Sequence, residues 1–437
     1  MVDTIVSDLR QASVVLANGD GLVVTTTGQL VVIPANAIGL NGNNQTIING
    51  EVFSVDGLAI SSASTSGDLT IGATGTVMSA GSIDVINLSI ASSMNVFNHG
   101  LTSGFDGIEL TPVNSSANYE IRNTGTILGN DDGIDMFTGT GFAKVYNSGL
   151  IQAEDDGIRI VSAGVSTNTV VNSGDIIAGN TAIDALTSTA SVEITNTGNI
   201  VGNIWLGSND DLYDGRLGSV EDFVSGGSGN DTLRGGDEEN VFLGNDDNDE
   251  VYGGNGDDVL YGGLDQDSVF GNAGDDWIEG NSGSDFLKGN RGDDTIDGGG
   301  GSDRILGGQD NDVLSGKGGS DTLIGNEGND DIDGGAGKDR LIGGVGDDTL
   351  TGGNQADVFV FKAGDQGDKI ITDFENNVDL IDVSNIGILN VNEMRANNAI
   401  TETQTGVVID LSVYGEDITL RLDGMSDAML NGADFIF

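Results

Sequence analysis

The chain has 437 residues, 69 Asp and Glu against 16 Lys and Arg, a net charge of −53, no cysteine and one histidine, His99. That charge repels nucleic acid and anionic lipid and argues against both as partners. The missing cysteines exclude disulfides and thiolate metal sites, one histidine is too few for a His-Glu-x-x-His zinc peptidase, and 72 glycines favour a stacked β-solenoid over a compact helical enzyme.

Residues 1–19 are expected to cap the first coil, or, through residues 4–16, to dock on a partner. They lack the basic and apolar regions of a secretory signal. Residues 4–16 place apolar positions at helical spacing. No stretch of the chain approaches bilayer length, so no spanning helix is expected.

Residues 20–207 carry two phrases locked in phase. The first is N-x-G, at Asn98–Gly100, Asn123–Gly125, Asn147–Gly149, Asn172–Gly174 and Asn196–Gly198, with weaker members at Asn49–Gly50, Thr74–Gly75 and Thr27–Gly28. From Gly50 the glycines recur at Gly75, Gly100, Gly125, Gly149, Gly174 and Gly198, a period of about 25. The second phrase follows each turn, at Asp56–Leu58, Ser82–Ile83, Asp106–Ile108, Asp132–Ile134, Asp156–Ile158 and Thr181–Ile183. Short apolar strands lie between. This pattern predicts a parallel β-helix of roughly seven coils. The recurrent Asn is expected to form a buried ladder, since buried amides need partners and Asn tolerates left-handed turns. In general form only, this half resembles pectate-lyase-like β-helices.

The Asp106, Asp132 and Asp156 row has two readings. Asp-Gly is a turn dipeptide that recurs because the coil recurs. Alternatively, the row with Arg159 forms a weak catalytic candidate of the polysaccharide lyase or epimerase kind, with Arg122, Lys144 and His99 as further basic groups. Five basic residues in the first 225 are few for a polyuronate cleft. The G-x-S-x-G elbow and the Walker loop are absent.

After a junction at 208–225, residues 226–360 repeat the phrase G-G-x-G-x-D-x-U-x fifteen times without insertion, U being a large apolar residue. The first Gly is present in every copy, from Gly226 to Gly352. The sixth position is Asp231, Asp249, Asp258, Asp267, Asp276, Asp285, Asp294, Asp303, Asp312, Asp321, Asp330, Asp339, Asp348 and Asp357, and departs only at Asn240. Each nonapeptide is a glycine-marked turn plus a very short strand with one inward side chain. One such unit buries almost nothing, so it must stack. Stacking aligns carboxylates in a segment with 31 acidic and 7 basic residues, and aligned carboxylates demand cations. Oxygen donors without Cys or His favour calcium. Asp257, Asp275, Asp293 and Asp347, at position five, are expected to face solvent. The copy with Glu238 and Asn240 is expected to hold a weak or empty site.

The array resembles the RTX family of calcium-binding β-rolls. The resemblance implies that two nonapeptides form one right-handed coil and that loops two repeats apart share an ion. Thirteen such pairings give on the order of ten ions. The fold class expected for the chain is therefore all-β: a right-handed parallel β-helix, then an RTX parallel β-roll, then a β-rich cap.

Residues 361–437 resemble the segment that closes RTX arrays and is read by type I ABC exporters, ending at Asp434–Phe437. Val358, Val360, Ile370, Ile371, Phe374, Leu380 and Ile381 suggest short strands, and residues 406–424 a hairpin turning at Gly415 and Glu416. The resulting expectation is a secreted, calcium-dependent extracellular structural protein of surface-layer, matrix, filament or adhesin type. It would self-associate or bind cell-surface polysaccharide, and would fold on calcium after export. The alternative is a polysaccharide-modifying or carbohydrate-binding β-helix.

Overall fold

The computed structural model describes residues 3–6, 9–10, 14–15, 21–24, 29–32, 38–54, 59–79, 84–113 and 116–437. The phrases at Thr27–Gly28, Asp56–Leu58 and Ser82–Ile83 lie outside them. The chain divides into two units, Met1–Gly236 and Asp237–Phe437.

Unit 1 is a parallel β-solenoid with three ladders per coil. One ladder runs through Leu101–Gly104, Thr126–Gly129, Leu150–Ala153 and on to Asn199–Ser208. The second links Asn118–Asn123, Ala143–Asn147, Asn168–Asn172 and Val192–Asn196. The third links Ile108–Pro112, Ile134–Gly139 and Ile158–Ser162. Alternate residues point inward. Ile127, Ile151, Ile176 and Ile200 stack fully buried in register, as do Ile121, Val145, Val170 and Ile194. A coil rich in β-branched residues suits such columns because each side chain packs on its copies above and below.

The Asn ladder is present. Asn98, Asn123, Asn147 and Asn172 each donate Nδ2 to the Oδ1 of the next Asn, at 2.8–2.9 Å, ending on Asn196. Each Oδ1 also accepts the N–H of the Gly two residues on, at 3.1–3.3 Å. The expected left-handed backbone is a correction, because none of these Asn has a positive φ. Gly recurs instead because a Cβ there would run into the glycine carbonyl of the preceding coil, Gly125 against Gly100 and Gly149 against Gly125. A second correction concerns the start. Asp3–Val6, Leu9–Arg10 and Val14–Val15 are strands paired in parallel with Gly21–Val24, Gln29–Val32 and Ile38–Ile48, so the apparent helical spacing does not make a helix there.

Unit 2 stacks 18-residue coils, two nonapeptides to the coil. Strands pair two repeats apart, as Val259–Leu264 with Trp277–Ser282 and Ser268–Ala273 with Phe286–Arg291. Position-eight residues from Phe242 to Phe359 are 0–1% exposed and fill the narrow interior. Gly367–Ile371 and Leu380–Asp382 continue the two ladders beyond the last repeat. Gly406–Asp410 and Ile418–Asp423 form an antiparallel pair, with Gly415 left-handed at φ 92°. Phe374 lies outside any strand. A six-residue helix, Val391–Ala396, is capped by the Asn390 side chain. The end of the chain packs back, Phe435–Ile436 pairing with Ile381–Asp382. No helix among the described residues is long and apolar enough to cross a membrane.

Candidate metal centre

The two oxygens of each position-six carboxylate have different surroundings. Oδ1 accepts the main-chain N–H of the position-six residue one coil earlier. Twelve such bonds, from Asn240 N–H on Asp258 to Asp339 N–H on Asp357, span 2.8–3.0 Å. Oδ2 of Asp258, Asp267, Asp276, Asp285, Asp294, Asp303, Asp312, Asp321, Asp330, Asp339 and Asp357 is buried and has no hydrogen-bond partner. These eleven side chains are 1–3% exposed. Burial pushes Asp276 and Asp312 up to about 8, and Asp267, Asp294, Asp330 and Asp339 up to about 7, although the amide bond pulls the other way.

The glycines explain the loop. At position one the backbone is not left-handed, yet a Cβ on Gly280 would stand 2.6 Å from Asp285 Oδ2, and one on Gly334 2.7 Å from Asp339 Oδ2. Gly is needed there to admit the carboxylate of its own repeat. Positions two and four are left-handed, with φ 131° at Gly263 and 131° at Gly274. Asn272 (79°) and Asp265 (72°) occupy the same conformation elsewhere, as short polar side chains allow.

Position five builds an outer, exposed ladder of opposite sense. Asp257 accepts the Asp275 amide, Asp275 that of Asp293, and Asp293 that of Asn311, at 2.8–2.9 Å. The loop amides are thus shared between the position-six carboxylates and a position-five ladder of Asp, Asn and Ser acceptors, and the buried Oδ2 atoms are left for something else. A line of buried, partnerless carboxylate oxygens beside main-chain carbonyls, with no nitrogen or sulfur donor, fits a hard oxygen-seeking divalent cation. At Asn240 the amide Nδ2 donates to Asp258 Oδ1 at 3.0 Å and to Glu238 O, so a neutral donor stands there instead.

Three residues escaped the repeat pattern. Asp211 in unit 1 is 4% exposed; its Oδ1 accepts the Val192 amide at 2.6 Å and its own amide donates to Asp231 Oδ1 at 2.8 Å. Gly207 (φ 115°) and Asn209 (φ 73°) give its loop the left-handed positions of the array. Leu206–Tyr213 is a degenerate copy on a longer step. The array's period would set Ser225 against Gly207, whereas the register sets Gly227 there. Asp379 Oδ1 accepts the Asp357 amide at 3.0 Å, prolonging one row. Lys369 ends the other.

Of the weak catalytic candidates in unit 1, the structure brings Asp106, Asp132, Asp156 and Arg159 to one side. Asp106 Oδ1 accepts the Asp132 amide at 3.1 Å and Asp132 Oδ1 the Asp156 amide at 3.2 Å, so the row first of all holds successive turns together. Arg159 lies 3.4 Å from Asp135 and 3.9 Å from Asp132 and Asp184. Carboxylate oxygens of Asp84, Asp106 and Glu109 converge within 4.8 Å. Burial, and then the neighbouring carboxylates, push Asp106 and Asp135 up to about 7 and Glu109 up to about 8. Arg122, Lys144 and His99 do not join them. Arg122 sits over Tyr146, Lys144 over Phe142, and His99 Nδ1 bonds Thr124 Oγ1 at 2.7 Å.

Comparison with known proteins agrees with the array. The family model of the RTX calcium-binding nonapeptide repeat (4 copies) matches residues 218–251, 234–269, 243–278, 270–305, 279–314, 306–341 and 334–365. No curated protein matches the chain. Among solved structures, the chain is similar to the extracellular lipase LipA from Serratia marcescens, at 16% identity over 46% of this chain and 40% of that one, with a TM-score of 0.24. The similarity thus spans less than half of that lipase.

Proposed function

We propose that this protein, whose residues 218–365 form an RTX calcium-binding β-roll, works outside the cell as a calcium-dependent structural or adhesive protein. The observation that carries the reading is the buried line of position-six Oδ2 atoms without partners. The residues that would hold calcium are Asp231, Asp249, the position-six residues from Asp258 to Asp339, and Asp357; Asp348 Oδ2 is already paired with Lys369. When bound, the ion supplies the positive charge that lets these carboxylates stay ionised in a dry interior.

The chain's own residues do the rest. Position-one glycines admit the carboxylates, left-handed positions two and four turn the loop, and position eight closes the core. Without a cation the carboxylates repel and resist burial, and the segment's net −24 favours an extended chain. Such a chain suits passage through a narrow export channel, which supports type I export read through residues 361–437. Folding then follows calcium levels of about 0.1–1 mM, those of extracellular modules. Strand edges at solenoid ends favour self-association.

The deciding experiment is electron microscopy of the full chain with calcium and with chelator, beside far-UV circular dichroism. Sheets or filaments that dissolve on chelation support the reading. A chain fully folded in chelator sinks it. The gathering of Asp132, Asp135 and Arg159 favours one second reading, a site on unit 1 for acidic polysaccharide. Uronate-polymer cleavage by monodisperse monomers, abolished by Asp132→Ala, would establish it.

A further inference from the structure

Unit 2 closes its two carboxylate rows with different chemistry. One row passes Asp339 and Asp357 to Asp379, whose Oδ2 is satisfied by the Glu375 amide at 2.8 Å. The other passes Asp312, Asp330 and Asp348 and meets Lys369, the register partner of Asp348. Lys369 is fully buried. Its Nζ lies 2.9 Å from Asp348 Oδ2 and donates to Gln366 O at 2.6 Å and to Gly346 O.

The local sequence shows how the lysine comes to be there. Residues 364–371 read Gly-Asp-Gln-Gly-Asp-Lys-Ile-Ile. They keep Gly at positions one and four, Asp at position five and a fully buried apolar residue, Ile371, at position eight. Gly367 is left-handed, as position four is along the array, and the Asp368 amide donates to Asp347 Oδ1 at 2.8 Å, as position five does; Gly364 is left-handed where the array's position one is not. Position two is Asp365 and is not left-handed, and position six is changed from an anion to a cation. The array's period would bring Gln366 opposite Asp348, but a longer step brings Lys369 there, which hides the copy from a fixed period.

One carboxylate oxygen and two main-chain carbonyls surround this single positive centre, all of them hard oxygen donors of the kind calcium takes. A lone buried ammonium is costly, and these three oxygens offset that cost. We propose that the Lys369 ammonium is the built-in cation of the last position in its row, so that this edge of the roll closes without an ion. The proposal rests on the reading that position-six carboxylates hold calcium. It gives the array a terminus that is already neutralised before any calcium arrives, from which the remaining coils can stack.

Native mass spectrometry of the full chain in calcium counts the ions. Lys369→Asp restores an acid at position six and is expected to bind one ion more than the wild type. If that variant does not fold at millimolar calcium, Lys369→Asn, a neutral oxygen donor, is read in the same way. Lys369→Met leaves Asp348 without its cation. It is expected to raise the calcium needed for half-folding about twofold, a small factor because one lost buried partner is spread over on the order of ten ions. Adding Asp348→Asn should bring the midpoint back toward wild type. An unchanged ion count in a folded Lys369→Asp or Lys369→Asn chain overturns the proposal, as does failure of both to fold. A wild-type chain that binds no calcium would instead sink the reading of the whole array, before any variant is made.

Discussion

The main-chain N–H of Asp294 donates to Oδ1 of Asp312 at 3.0 Å, so each position-six carboxylate holds the coil before its own. On the proposed calcium reading, Asp312→Ala therefore removes two things, an amide partner and a proposed cation ligand. The orphaned amide alone costs about 1–3 kcal/mol. Asp312→Asn keeps the amide bond and loses only charge, so it should fold at lower calcium than Asp312→Ala while binding fewer ions than the wild type. Calcium-titrated circular dichroism and ion counting separate the two. Equal midpoints for the two variants would contradict the division of labour between Oδ1 and Oδ2.

Position one and position two need glycine-like residues for different reasons. Gly280→Ala places a methyl against Asp285 Oδ2 and is expected to cost about 1–3 kcal/mol, with a loss of bound calcium. Asn281 is left-handed at φ 69°, so Asn281→Gly should fold as well as the wild type with its ion count intact. Urea unfolding at fixed calcium measures both. A harmless Gly280→Ala would mean that the carboxylate sits elsewhere in the calcium-bound protein.

The Asn ladder of unit 1 is a chain of buried amides, and breaking it in the middle strands both neighbours. Asn147→Ala removes the acceptor of Asn123 and the donor to Asn172. A loss of about 2–4 kcal/mol is expected, one to two orphaned buried groups. Thr124→Ala, on the exposed side of the preceding coil's turn, loses only an exposed bond to His99 and should cost within about 0.5 kcal/mol. Hydrogen exchange over residues 118–150 reports the difference, and similar protection in the two variants would count against a buried ladder.

Asp106, Asp135 and Glu109 have folded-state pKa values raised to about 7, 7 and 8, against ordinary values near 4. A raised carboxyl pKa means the folded state binds the proton more tightly than the unfolded one. Unit 1 should therefore lose stability as pH rises from about 4 through about 8, and gain it on mild acidification. Glu109→Gln should flatten the upper part of that slope. Intrinsic-rate-corrected hydrogen exchange of residues 84–112 at several pH values, in saturating calcium, tests this; stability rising with pH would refute it.

The array was legible because its period is unbroken and its chemistry is confined to fixed positions. Its ends were not. Leu206–Tyr213 and Gly364–Ile371 fold into related loops but out of step with the repeats. Gly207 meets Gly227, Asp348 meets Lys369, and the second copy carries the opposite charge at position six. A fixed period cannot see a copy that slips by two or three residues, whereas the backbone absorbs the slip in a turn. The Asn ladder was legible from spacing, yet the reason for its glycines was close approach and not handedness. Residues 4–16 misled because strands of two to four residues with apolar neighbours mimic helical spacing at that length. The Val391–Ala396 helix, at six residues, carries too little periodicity to announce itself.

The opposing ladders at positions five and six have one more consequence. Between Asn240 and Asp357 the position-six bonds repeat from coil to coil, and they change only at the two ends. Two nonapeptides can thus be removed from the middle, or inserted there, without creating a new kind of end. Each such step changes the length of the roll by one strand spacing, about 4.8 Å. Unit 2 is in this sense a ruler whose reading is set by the number of repeats, while Asn240 and Lys369 stay at its two stops.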